Sequence, residues 1–143
     1  MAITTTLYNH TTKLFANSEV SLVDLKVMLL DDNAAALFDA TDTDMTGLTA
    51  AEVSGFGWTS GGEPIASAAV TTTTTNDAKL DGDDISVTAT GGQIGPAKSL
   101  VIFDDNSSKP LGFVDFGQDE AAGDTTDFKI AWNAAGILTW TYT

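Results

Sequence analysis

Cysteine and arginine are both missing from the 143 residues, and the chain has only three prolines and one histidine. Without cysteine there is no disulfide, no thiolate metal site and no cysteine nucleophile, and redox chemistry says nothing about compartment. Without arginine the chain lacks the side chain best shaped for bidentate phosphate and base recognition. Its cations are six lysines against twenty carboxylates, for a formal net charge of −14. A basic patch is the footprint of nucleic-acid binding, and an anionic bilayer surface would repel such a chain. Neither a nucleic-acid nor a membrane partner is therefore expected. Long apolar runs are also lacking. Val27-Met28-Leu29-Leu30 is far too short to cross a bilayer, and Met1-Ala2-Ile3-Thr4-Thr5-Thr6 has neither the basic nor the apolar region of a signal peptide. The expectation is a protein made and kept in an aqueous compartment.

What is present suits a folded chain. Hydrophobic residues make up 43% and the mean hydropathy is +0.05, which argues against general disorder. The length suits a single domain over residues 1–143, with residues 1–8 as an N-terminal arm or edge strand. Asn9 is positioned to cap a short helix around Leu14 and Phe15, with Asn17 ending it. Residues 23–30 alternate, with Val23, Leu25, Val27 and Leu29 on one face and Asp24, Lys26, Met28 and Leu30 on the other. Helical turns are expected at residues 34–38 and at residues 49–53, where Thr49 and Glu52 have capping-box spacing. An acidic loop, residues 39–44, lies between them.

The second half reads as strands punctuated by turn chemistry. Extended segments are expected at residues 65–75, 85–89, 99–103 and 111–117. Turns are expected at Asn76-Asp77, Asp81-Gly82-Asp83-Asp84 and Asp104-Asp105-Asn106-Ser107-Ser108, with a loop from Gly91 to Pro96. Leu100-Val101-Ile102-Phe103 is apolar at every position, so that strand is expected to be central and covered on both faces. Phe128, Ile130 and Trp132 alternate, Asn133-Ala134-Ala135-Gly136 turns, and Leu138, Trp140 and Tyr142 alternate again, which predicts a C-terminal hairpin. About seven strands with such spacing predict a mostly β chain, an antiparallel β-sandwich or barrel-like domain with one or two short helices. No fixed-period repeat and no strand–helix alternation competes with that reading.

Catalytic equipment is sparse. His10 is the lone histidine and has no orienting partner in its motif. No Gly-x-Ser-x-Gly, phosphate loop or His-Glu-x-x-His occurs, and twenty carboxylates offer too many arbitrary pairs to single out a glycosidase dyad. A non-enzyme is expected. No cofactor is expected either. Calcium (Ca2+) is the one candidate: Asp42-Thr43-Asp44-Met45-Thr46-Gly47 matches the first half of an EF-hand loop, but position twelve is Val53 and Glu52 sits one place early. Asp77, Asp81, Asp83 and Asp84 form a second acidic cluster, read as turns between strands. The tryptophans Trp58, Trp132 and Trp140 raise a carbohydrate-binding module as an alternative, with core packing the favoured reading for the hairpin pair. The glycine-rich segment Ser54-Gly55-Phe56-Gly57-Trp58-Thr59-Ser60-Gly61-Gly62 suits a contact surface. Phe56 and Trp58 are therefore interface candidates, together with Ile3, Leu7 and Tyr8 of the N-terminal strand.

Several segments in order, Asn17-Ser18-Glu19-Val20-Ser21-Leu22 into Asp24-Leu25-Lys26-Val27-Met28-Leu29-Leu30, then Ala51-Glu52-Val53-Ser54-Gly55-Phe56-Gly57-Trp58-Thr59-Ser60-Gly61-Gly62, resemble small virion proteins of tailed bacteriophages. Leu100-Val101-Ile102-Phe103-Asp104, Leu111-Gly112-Phe113-Val114-Asp115-Phe116-Gly117 and Ile130-Ala131-Trp132-Asn133-Ala134-Ala135-Gly136-Ile137-Leu138-Thr139 continue the resemblance over nearly the whole chain. Residues 31–47 depart from it, and no site is carried across them. The resemblance implies a virion structural protein, read here as a capsid decoration (cement) protein. Such a protein would sit on the outer head surface as a homo-oligomer bound to the major capsid protein, after synthesis in the host bacterial cytoplasm. A tail or fibre component is the alternative within the virion. An acidic chain suits a position away from packaged DNA, and residues 3–8 are a candidate strand for a neighbour's sheet edge.

Overall fold

The computed structural model describes residues 3–73 and 77–141. Expectations for Met1, Ala2, the end of the threonine tract with its turn at Asn76, and Tyr142 lie outside the described residues. The architecture is mostly β and sandwich-like, and every strand pairing among the described residues is antiparallel. Its main sheet is built on β8 (Ile94–Asp104) and β9 (Lys109–Ala122). Outside β9 lies β1 (Thr4–Leu7), and beside β8 lies β2 (Leu25–Leu30). Two short strands, β3 (Glu52–Val53) and β4 (Glu63–Pro64), share the far edge of β2. Two smaller sheets complete the set. One has the order β11 (Leu138–Trp140), β6 (Ala78–Asp81), β5 (Ala69–Thr72); the other pairs β10 (Asp127–Ile130) with β7 (Ile85–Thr88).

Strand alternation divides the main sheet between two cores. Leu25, Val27 and Leu29 of β2, with Leu100 and Ile102 of β8, pack against Leu80, Phe128 and Leu138 of the smaller sheets. Met28, Leu30, Val101 and Phe103 point the other way, where residues 31–51 cover them with Ala34, Met45, Leu48 and Ala51. The expected burial of residues 100–103 on both faces is found: all four are at most 3% exposed. The idiosyncratic stretch 31–47 is thus most of a core layer. It includes the helical turn α2 (Ala34–Leu37), followed by Phe38, whose ring stacks on Phe113 at 4.5 Å.

A bulge lets β9 serve both cores. Phe103 faces Pro110 and Ile102 faces Gly112, so Leu111 is the extra residue. It joins the first core while Phe113 stays in the second. The carbonyls at the bulge bind the chain around the start of helix α1 (Thr11–Ala16): Leu111 accepts Tyr8 N–H at 3.2 Å and the Thr11 hydroxyl at 2.6 Å, and the Pro110 carbonyl accepts His10 Nε2–H at 2.6 Å.

Local expectations are corrected in several places. The N-cap of α1 is His10 rather than Asn9, and it makes no side-chain cap bond; Asn17 does end the helix. Strand β2 begins at Leu25, because Leu22–Asp24 form a 3-10 turn that leaves Val23 90% exposed. The capping box at Thr49 does not form: a 3-10 turn covers Thr49–Ala51, and Glu52 enters β3 while its carboxylate accepts the Gly61 N–H. Residues 65–68 precede β5 rather than belonging to it, and β8 starts at Ile94, inside the expected loop.

The largest correction is the C-terminal hairpin. Its turn exists, with Gly136 N–H bonded to the Asn133 carbonyl, but the strands on either side do not pair. β10 pairs with β7 and β11 with β6, so the turn hands the chain from one sheet to the other. Trp132 N–H binds the Asp84 carboxylate at 2.9 Å and Ile137 N–H binds the Leu80 carbonyl at 2.7 Å, fixing both ends of the crossing.

Asp104, 1% exposed, accepts bonds from Ser21 N–H, Asn106 N–H and the Ser107 hydroxyl, each at 3.0 Å. It ties the approach to β2 onto the β8–β9 turn. Asp104→Ala strands three donors and is expected to cost about 2–4 kcal/mol in urea unfolding, with the denaturant slope unchanged.

Candidate interaction surface

The five residues expected at an interface separate into inside and outside. Tyr8 and Trp58 are both buried, at 2% exposure, and are corrected to core residues. The Tyr8 ring meets Phe38 edge-on at 5.2 Å and stacks on His10 at 6.1 Å; burial, with Asp42 nearby, pushes its phenol well above the ordinary value. Trp58 meets Phe128 edge-on at 5.6 Å inside the first core. Buried there, it offers no stacking face to a sugar. Leu7 is half-buried against the same core. Ile3 and Phe56 are exposed, at 68% and 51%.

The glycine-rich segment explains the split between Phe56 and Trp58. Gly55 and Trp58 exchange both backbone hydrogen bonds, at 2.9 and 3.1 Å, around a two-residue reversal. Its central residues, Phe56 and Gly57, have φ of +53° and +112°. Two positive φ values mark the reversal that Asn-Gly makes best; a bulky residue in the left-handed region costs about 1–2 kcal/mol. Gly57 is required for a second reason, since a Cβ there would stand 2.7 Å from the Thr88 carbonyl oxygen. The reversal sends Trp58 inward and holds Phe56 at the surface. The Phe56 ring lies over Gly92, where a Cβ would collide with it.

Ile3 belongs to a different patch. It helps line a groove of about 730 Å³ between the β1–β9 side of the main sheet and β10 with its following turn; Phe56 is not among the lining residues. Phe116, Ile130, Trp132 and Ile137 line it too; of these the sequence singled out Trp132 alone, as one of three tryptophans considered for a sugar-binding face. The alternation that marks them as strand residues does not say that the two layers part along this side.

Several carboxylates of the acidic loops are hydrogen-bonded within the chain. Asp39 accepts from Thr41 N–H and hydroxyl, and Asp44 from Thr46 N–H; both carboxyls are held below their ordinary values by these bonds. Asp83 accepts from the Ser67 hydroxyl and Asp84 from Trp132 N–H. Among the described residues no group of three or more histidine, cysteine, aspartate or glutamate side chains is placed to hold a metal ion. No helix among them is long and apolar enough to cross a membrane. Compared with family models, curated proteins and solved structures, the chain finds no match.

Asp81 is hydrogen-bonded by Lys79 at 2.8 Å and by Gly82 N–H, which lowers its pKa. The stabilisation from this group is present above the ordinary aspartate range and lost as pH falls through the lowered value. Lys79→Met should raise the Asp81 pKa toward its ordinary value, read by carboxyl NMR titration. With Asp39 and Asp44 bonded to their own loops, millimolar calcium or a chelator should leave the thermal midpoint unmoved; a calcium-dependent rise would restore the EF-hand-like reading.

Proposed function

We propose that this chain is a non-catalytic structural protein of a tailed-phage virion, acting as a decoration (cement) protein on the outer head surface. The observation that carries the docking part of the reading is Phe56. The fold holds an aromatic residue half in solvent at a left-handed position where asparagine or glycine would sit with less strain. Strain of that kind is retained where presentation of the side chain matters. The mostly β, strongly acidic chain and the resemblance of its segments to phage virion proteins support the same reading. A charge of −14 keeps the protein off DNA and suits the outside of a filled head. The stabilising mechanism is mass action: a subunit that binds the assembled, expanded shell and not its dissociated parts shifts the equilibrium toward the shell.

The N-terminal strand has a different role from that of a donated arm. Thr4–Leu7 already pairs with β9 in its own sheet, so what it offers a neighbour is its outer edge.

The deciding experiment is co-sedimentation of the purified protein with undecorated, expanded capsids of its parent phage, followed by cryo-electron microscopy. Saturable binding at fixed symmetry positions is expected. Recovery of the protein in tails or fibres, with no capsid binding, would overturn the cement role. Phe56→Asn supplies the control: relief of strain, about 1–2 kcal/mol, roughly offsets the loss of a half-buried ring. Stability should stay within about 1 kcal/mol of the parent while capsid affinity falls about tenfold or more.

A further inference from the structure

The sandwich is open along one side. There the 730 Å³ groove runs beside β1, the terminal strand of the main sheet, whose hydrogen-bonded strand partner among the described residues is β9. Natural sheets guard such an edge with lysine, proline, a bulge or a covering segment. Thr4, Thr5 and Thr6 are uncharged and exposed, and so is Ile3 before them, at 68%.

The edge and the groove are in register with each other. Ile3 and Thr5 share the face of β1 that lines the groove. A strand laid against the outer edge of β1 would place every second side chain over that same face. Those side chains would meet Phe116 on one wall and Ile130, Trp132 and Ile137 on the other. Backbone bonds would supply affinity and the apolar walls would select the alternation.

Charge sets the other half of the pattern. The groove is lined by Glu120 and Asp127 against Lys129 alone, in a chain of net charge −14. A second copy would bring the same −14 to the contact, whereas a cationic segment is attracted from a distance and held at the rim. We propose that this edge and groove take an extended segment of a partner protein that alternates apolar residues with lysine or arginine. The inference does not depend on the partner being a capsid.

The test uses the full chain and a short synthetic peptide alternating valine and lysine. Binding is followed by tryptophan fluorescence and by amide hydrogen exchange. Saturable binding that weakens with salt, with new protection at the outward amides of Thr4–Leu7, is expected. Ile3→Lys should weaken it about tenfold or more while leaving the melting curve unchanged, because Ile3 is exposed. Three results would each overturn the proposal. One is equal binding of a valine–glutamate peptide. Another is new protection at Ala69–Thr72 of β5 instead. The third is a peptide-free dimer whose β1 amides are already protected, which would make the groove a contact between copies.

Discussion

Four consecutive apolar residues on β8 place the main demand on this structure. Leu100 and Ile102 point to one side of the sheet, Val101 and Phe103 to the other, and all four are buried. A strand apolar on both faces needs two covers, and burying those side chains contributes roughly 1.5–3 kcal/mol each. The smaller sheets supply one cover. The other is irregular chain, residues 31–51, closed at its ends by the bond from Asp31 N–H to the Ala51 carbonyl. A segment with little regular structure can serve because its apolar side chains, Ala34, Met45, Leu48 and Ala51, all reach the same sheet face.

The bulge at Leu111 and the buried Asp104 are consequences of the same demand. The strand leaving the β8–β9 turn has to feed both cores, and a bulge changes which face a residue takes. The carbonyls at the bulge, Leu111 and Pro110, are bonded by Tyr8 N–H with the Thr11 hydroxyl and by His10, respectively. Asp104 accepts the donors of the turn and of the chain approaching β2. The lone histidine therefore has a plain structural task, donating one hydrogen bond to a carbonyl one hundred residues away.

Charge and exposure divide the surface into two kinds of region. The loops carry carboxylates, and Asp31, Asp39 and Asp44 there accept nearby backbone N–H groups, as Asp115 does on β9. The edges β1 and β5 carry threonine and small apolar residues instead, with Thr4, Thr5 and Thr6 and all of Ala69–Thr72 exposed. Phe56 stands out from both, an aromatic residue held at positive φ by the reversal that buries its neighbour Trp58.

Much of this was legible in the residues. Alternation in residues 23–30, which holds from Leu25 on, the uninterrupted apolar run 100–103 and the aspartate-rich turns read as an antiparallel, mostly β chain, because side-chain periodicity and turn chemistry act over a few neighbours. The sequence offered Ile3, Leu7, Tyr8, Phe56 and Trp58 alike as contact candidates and did not separate the exposed Ile3 and Phe56 from the rest. Nor was the burial of Tyr8 and Trp58 legible: at Tyr8 it depends on Phe38, thirty residues on, and at Trp58 glycine spacing announces a reversal but does not say which flanking side chain faces the core. The C-terminal hairpin misread for the same reason. Asn133 to Gly136 reverses the chain as its chemistry requires, yet Leu80 and Asp84, some fifty residues earlier, decide where the returning strand bonds. The sequence by itself determined periodicity, turns and charge, all local properties. Only the tertiary structure decided strand partners, the second core layer and the open groove, because backbone hydrogen bonds between strands carry no residue code and burial depends on what the rest of the chain brings alongside.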